Sequence, residues 1–335
     1  MERKITIKDI ARELKIHHTT VSRALRDDPR IKEETRKRIV TYAKVNGYHL
    51  NQSALNFRNK QSNEIALVVP DISHYTFSNF ISLVSDMANE NGFVVSVFQS
   101  KEKVENEKEI LRTIMQNRVA GVIASISNST IDTSHYKQLM DFGIPLVFFD
   151  RVGQDIETSK VMTANYDSAY DAVQYLVSKD KKRIVHLTGP SHINVFNERY
   201  NGYLSAIAKS GLEFIYRYEV SKEFEFLDGI KAMKIVWNKP VKPDAILCDS
   251  FTLSAGVNSF CRENQIKVPD ELAIMAIAND PFSALLEPPQ TVMEQPICEI
   301  ARDAFEILLK TIQNKSENII EVKYLKAKLI ERESV

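Results

Sequence analysis

The chain has 335 residues, 44% hydrophobic and 26% charged, with 44 basic side chains against 44 acidic ones. That is the composition of an ordinary globular protein with room for two or three domains. No apolar run approaches the ~20 residues of a membrane helix. The start Met1-Glu2-Arg3-Lys4-Ile5-Thr6 carries no apolar signal core. Cys248, Cys261 and Cys298 have no metal-like spacing, so the expected setting is a reducing cytoplasm. Neutrality hides an asymmetry: residues 1–60 hold 15 Lys and Arg against 7 Asp and Glu, and residues 61–335 hold 29 against 37. A basic head on an acidic body points to a phosphate-bearing partner for the head.

Within the head, Ile7, Ile10, Ala11 and Leu14 fall on one stripe at helical spacing, and Val21, Ala24 and Leu25 form a second. Two short helices joined by a tight turn are expected. The outward face of the second carries His18, Thr19, Ser22 and Arg23, short or forked hydrogen-bonding groups that suit base edges in a major groove. Pro29-Arg30-Ile31 is read as the opening of a third helix that stops at Gly47, a residue suited to the left-handed position after a helix. The polar stretch 51–58 is too brief to be a stable helix alone and could form one on DNA. Phe57 reads either as a minor-groove wedge or as a residue packed on the next domain.

From about Ser62 the chain alternates. Apolar runs at 65–69, 93–98, 119–124, 146–149, 184–187, 245–247 and 272–277 have strand length. Helical patterns at 77–91, 105–117, 167–178, 197–210, 224–237 and 253–264 separate them. Continuous apolar strands between amphipathic helices predict parallel sheets covered on both faces, and so long an alternation predicts two α/β halves. A small ligand would bind between them, at the carboxyl ends of the strands. Candidates there are Asp71, His74, Phe77, Asp150, Arg151, Arg199, Asp249, Asn279 and Asp280. Forked donors and acceptors with an aromatic platform suit a sugar or another polyhydroxylated ligand. No phosphate loop, dinucleotide fingerprint, nucleophile elbow or zinc-protease motif is present, and the adjacent His17 and His18 do not face one metal. No metal, cofactor or enzymatic turnover is expected.

The order of Thr6-Ile7-Lys8-Asp9-Ile10-Ala11, Thr20-Val21-Ser22-Arg23-Ala24-Leu25, Thr35-Arg36-Lys37-Arg38-Ile39 and Asn46-Gly47-Tyr48 resembles the LacI/GalR family of transcriptional regulators. Pro70-Asp71-Ile72-Ser73, Gly143-Ile144-Pro145, Asp150-Arg151, Arg199-Tyr200-Asn201-Gly202-Tyr203 and the tail Leu329-Ile330-Glu331-Arg332 extend the likeness over the whole chain. The resemblance implies a small all-α helix-turn-helix head at 1–48 and a hinge helix and linker at 49–61. It implies a periplasmic-binding-protein-like α/β body at 62–335, with one subdomain at about 62–162 and 292–322 and the other at about 163–291 and 323–335.

What the resemblance implies for function is a homodimer, or a tetramer of dimers, on a near-palindromic double-stranded operator. His18, Thr19 and Arg23 match base-reading positions. Thr6, Thr20, Ser22 and Asn51 match phosphate contacts, and Ala54 and Phe57 match hinge contacts. Phe77, Asp150, Arg199 and Asp280 match positions that touch a small effector, expected to be a sugar or sugar phosphate. A nucleobase or a protein corepressor is the alternative, and a sugar-binding transport protein is the rival from another class. Departures from the family pattern are Leu50 where Pro is usual, Phe57 for Leu, His17 for the Ser that caps the recognition helix, and Ala164 for Asp. Ser250-Phe251 stands for Asn-Asp, with Asp249 one place earlier.

Overall fold

The computed structural model describes residues 5–25, 27–48, 62–214, 216–220, 225–278, 280–314 and 320–335. Its contacts separate two compact units, Met1–Gln61 and Ser62–Val335.

The first unit holds α1 (Ile7–Leu14), α2 (His18–Ala24) and α3 (Glu33–Val45). A capping box opens α1: the Thr6 hydroxyl accepts from the Asp9 amide at 3.3 Å, and the Asp9 carboxylate accepts from the Thr6 amide at 3.0 Å. Ile10, Leu14, Val21, Ala24, Ile39 and Ala43 form the buried core where the helices meet. The third helix starts at Glu33, later than the Pro29 opening read from sequence. Asp28 is the reason: its carboxylate accepts from the Arg30 amide at 3.0 Å and from the Arg30 guanidinium at 2.9 and 2.7 Å, which holds 28–30 as a turn. At the far end Gly47 takes φ +65. The Tyr48 amide reaches back to the Ala43 carbonyl at 2.9 Å and that of Gly47 to Lys44 at 3.2 Å, which is the Schellman closure a glycine permits.

The second unit contains two six-stranded sheets. The first joins β1 (Glu64–Val69), β2 (Val94–Gln99), β3 (Gly121–Ala124), β4 (Leu146–Phe149), β5 (Ser159–Thr163) and β11 (Val322–Leu325), in the order β11-β5-β4-β3-β1-β2. The second joins β6 (Ile184–Thr188), β7 (Arg217–Glu219), β8 (Ala245–Cys248), β9 (Ala273–Ile277), β10 (Thr291–Glu294) and β12 (Lys328–Ile330), in the order β12-β10-β9-β8-β6-β7. All described pairings are parallel except β10 with β12. The helices are α4 (Tyr75–Glu90), α5 (Val104–Asn117), α6 (Ser134–Asp141), α7 (Asn165–Ser178), α8 (Asn194–Lys209), α9 (Phe226–Val236), α10 (Phe251–Glu263) and α11 (Ile297–Gln313). A 3-10 helix, Pro281–Leu285, follows β9.

The central strands β3, β4, β6, β8 and β9 are buried at every residue, as parallel strands covered on both faces must be. In each sheet the strand order reverses at the first strand of its half, β1 or β6. The crevice outside the carboxyl ends of the strands at such a reversal is where doubly wound sheets take ligands. The chain passes between the sheets after Thr163, after Glu294 and after Leu325. The last two crossings stand beside the approximate 291/292 and 322/323 divisions that the resemblance implies, with β10 paired to β9 and β11 to β5.

Candidate functional site

The face of α2 opposite Val21 and Ala24 carries His18, Thr19 and Arg23, all exposed, with Thr20 and Ser22 half-buried beside them. His17 takes the cap position in extended backbone, its ring nitrogen accepting from the Thr19 amide. Nδ1 also lies 2.8 Å from the Thr19 hydroxyl. An imidazole thus does the work of a capping oxygen. Thr6, the cap of α1, is expected at phosphate, and here its hydroxyl is engaged by Asp9 at 2.6 Å. Asn51, Ala54 and Phe57 lie outside the described residues, as does Leu50.

In the body, a cavity of about 600 Å³ opens at the strand ends, lined from the first sheet's side by Asp71, His74 and Tyr75 and from the second by Asp249, Phe251 and Asp280. A small inner compartment of about 60 Å³ adjoins it. Phe77, Asp150, Arg151, Phe196 and Arg199 line that compartment, and both spaces share His74, Asp249 and Gln295. Of the four expected effector residues, Phe77, Asp150 and Arg199 come together in the inner compartment and Asp280 lies on the outer wall.

Each inner group is held by a definite set of bonds. Arg199 projects from the second turn of α8. Its Nε donates to Asn165 Oδ1 at 2.9 Å, and its Nη1 donates to the Asp249 carbonyl at 2.8 Å. The Asp249 carboxylate, at the end of β8, takes His186 Nε2 at 2.9 Å, the Thr188 hydroxyl at 2.6 Å and the Arg199 guanidinium at 3.8 Å. Burial pushes that carboxyl's pKa up, but His186, Arg199 and Thr188 outweigh it and the net direction is down. Asp150 follows β4 in a left-handed backbone, φ +56. The residue is 7% exposed, and burial raises the pKa of its carboxyl against the pull of Arg151 and Arg199. Burial likewise raises Asp280, which caps the 3-10 helix by accepting from the Phe282 amide at 3.0 Å.

Phe77 does not offer the open stacking platform expected of it. It is 3% exposed, packed edge-on against Phe149 at 6.1 Å, because its position in the first turn of α4 points it at the first sheet. The Arg151 guanidinium lies 5.5 Å from its ring centre and 5.6 Å from that of Phe196, which belongs to the other subdomain, while Glu102 pairs Arg151 at 2.8 Å. The aromatic surface open to the outer cavity comes instead from Phe226 and Phe282, both exposed, with Phe251 and Tyr75 half-buried. The two subdomains also clasp directly. Asn194 donates to the Asp150 carbonyl at 3.2 Å and accepts from the Val152 amide at 3.0 Å, and His192 Nε2 donates to the Asn128 carbonyl at 2.6 Å. Sequence reasoning missed Asn194, Gln295 and the aromatic rim, whose members are distant in the chain. Among the described residues no group of His, Cys, Asp and Glu could hold a metal ion, and no helix is long and apolar enough to cross a membrane.

Three family models match. Residues 6–51 fit the bacterial regulatory proteins of the lacI family, 65–235 fit a periplasmic binding protein domain, and 173–335 fit a periplasmic binding protein-like domain. The chain belongs to the LacI/GalR family of transcriptional regulators. The HTH-type transcriptional repressor CytR of Escherichia coli (strain K12) is 29% identical over 314 residues, 94% of this chain and 92% of that one. A solved lac repressor dimer, bound to operator and the anti-inducer ONPF, superposes with a TM-score of 0.87 at 19% identity, covering 99% of each chain. A periplasmic binding protein/LacI transcriptional regulator from Alkaliphilus metalliredigens QYMF, complexed with D-xylulofuranose, is 28% identical with a TM-score of 0.72, covering 82% of this chain and 99% of the other. The LacI fold, a helical head and a two-subdomain α/β body, is therefore the fold of this chain.

Proposed function

We propose that this LacI-family chain is a cytoplasmic repressor that binds a near-palindromic operator as a homodimer. It would release or tighten its grip when a small carbohydrate, a sugar or sugar phosphate by the sequence reading, enters the cleft of the body. The observation that carries the DNA half is the two-sided α2, with Val21 and Ala24 buried behind exposed His18, Thr19 and Arg23. These three would read base edges in the major groove. Thr6, Thr20, Ser22 and Asn51 would contact phosphates, which set register without reading sequence. Ala54 and Phe57 would serve in the hinge. The effector half rests on Asp150, Arg199, Asp249 and Gln295 meeting where the two subdomains face each other. The sugar named in the Alkaliphilus complex favours a carbohydrate here. A ligand touching both subdomains shifts their relative populations by as much as its affinities for the two arrangements differ.

The test is binding of the full chain to a fluorescent genomic fragment from upstream of its own gene and its neighbours, with and without a panel of sugars and sugar phosphates. Specific binding that one compound abolishes or enhances is the expected result, and it names both ligand and sign. Specific binding untouched by every compound removes the carbohydrate reading. No preference for any fragment at several salt concentrations removes the operator reading.

A further inference from the structure

The charge and shape of the cavity narrow the ligand. Resting on the effector reading above, we infer that the cleft selects an uncharged ligand that offers a hydroxyl edge to the inner compartment and a ring face to the aromatic rim, and that it rejects the phosphorylated form of the same ligand. The described lining of the outer cavity includes Asp71, Glu225, Asp249 and Asp280 and no Lys or Arg. Both inner arginines already have carboxylates beside them, Arg151 with Glu102 at 2.8 Å and Arg199 with Asp249 at 3.8 Å. Several backbone donors that a phosphate would use at helix starts and turns are taken by the chain's own side chains. Ser250 Oγ accepts from the Leu253 amide, Asp280 from Phe282 and Asp71 from Ser73. The start of α4 has no side-chain cap, and His74 there is near enough to the Asp150 and Asp280 carboxyl groups to favour their charged forms.

What the cavity lacks in cations it has in acceptors and rings. The Asp150 carboxyl is more than nine-tenths buried, lines the inner compartment and makes no side-chain hydrogen bond among the described residues. A ligand hydroxyl is the donor that would satisfy it, and about 60 Å³ admits such an edge but not a whole ring. The ring must then lie in the outer space, beside Tyr75, Phe226, Phe251 and Phe282, where stacking rewards a flat or apolar face. A phosphate there would face the carboxylates of Asp71, Glu225, Asp249 and Asp280, with no Lys or Arg among the described lining residues to offset them.

Calorimetric titration of the full chain with matched pairs tests this: ribose, phenyl β-glucoside, uridine and adenosine, each against its own phosphate ester, at 0.15 M salt. For whichever neutral compound binds, the expected ester affinity is at least ~10-fold lower, from like-charge repulsion at the rim. The gap should close in the variant Asp71→Asn, Glu225→Gln, Asp280→Asn, and Phe282→Ala should weaken the members that carry a phenyl ring or a base but not ribose. An ester that binds as tightly as its neutral partner, or more tightly, overturns the inference. If Arg199→Lys also abolishes that ester's binding, the effector cleft stands and only its selectivity is wrong. If no member of either set binds at millimolar concentration while operator DNA still does, the inference and the effector reading fall together.

Discussion

At Asp150 the backbone turns through φ +56 directly after β4 and sets a buried side chain against the inner compartment. Burial raises its pKa, so the folded chain holds that proton more tightly than the unfolded one. The stability this contributes is complete below the ordinary value of 3.8 and is lost as pH rises through the folded value. At neutral pH the charged group therefore opposes folding. Asn keeps the shape and tolerates the left-handed backbone. Asp150→Asn should raise the stability of the ligand-free body by roughly 0.5–2 kcal/mol, with a larger gap between the variant and wild-type melting curves at pH 8 than at pH 5. It should also weaken the effector, since it removes the charged acceptor. Asp249 has the opposite sign: its depressed carboxyl contributes stability above 3.8 that is lost as pH falls through the lower folded value. Removing Arg199 leaves that buried charge without its arginine, and Arg199→Ala should cost about 3–5 kcal/mol. Arg199→Lys retains the charge and is the better binding probe. Equal thermal stability of the Ala variant and wild type would show that the buried pair is not needed.

Among the elements, the closest approaches are made by backbone against backbone. Gly256 of α10 sits so near α9 that a Cβ there would stand 2.1 Å from the Phe226 carbonyl oxygen, and one at Gly202 of α8 would stand 2.1 Å from that of Tyr166 in α7. Neither neighbour is a movable side-chain end, so Gly256→Ala should exceed the ~1–3 kcal/mol typical of overpacking. Because α9 and α10 carry Phe226 and Phe251 on the cavity rim, the same change should weaken ligand binding, and thermal melts with titration check both. How much of this was legible in the sequence follows from the physics of each element. The first two helices of the head declared themselves by period, and the central strands by unbroken apolar runs. Strand β5, Ser-Lys-Val-Met-Thr, carries no such run. The helix α11 falls in a stretch whose partner sheet is set by two long-range crossings, which local pattern does not encode. The aromatic rim was illegible for the same reason: residues near 75, 226, 251 and 282 meet only through the winding of both sheets. Phe77 was legible as an aromatic near the cleft but not as a core residue, because one position on a helix turn decides between the two.

For the whole molecule, the separation of charge makes the two binding events respond differently to salt. The head's excess of cations gives DNA binding a counterion-release component, so log affinity falls linearly with log salt at a slope of about −0.9 per phosphate neutralised. With some 6–10 phosphate contacts, operator affinity should fall roughly 10³–10⁵-fold between 50 and 200 mM salt. The body's cavity offers no net cation among its described lining residues, so affinity for a neutral effector should change little over that range. The contrast also sorts the residues of α2. Arg23, exposed opposite the buried Val21 and Ala24, is assigned to a base edge. Arg23→Ala should then cost ~1–3 kcal/mol on operator, much less on random DNA, and leave the operator's salt slope nearly unchanged. A phosphate contact behaves otherwise, with equal losses on both DNAs and a slope shallower by about one. Fluorescence anisotropy titrations of wild type and variant at four salt concentrations, on both DNAs, separate the two roles, and the second pattern would remove Arg23 from the reading set while leaving the head's electrostatic grip intact.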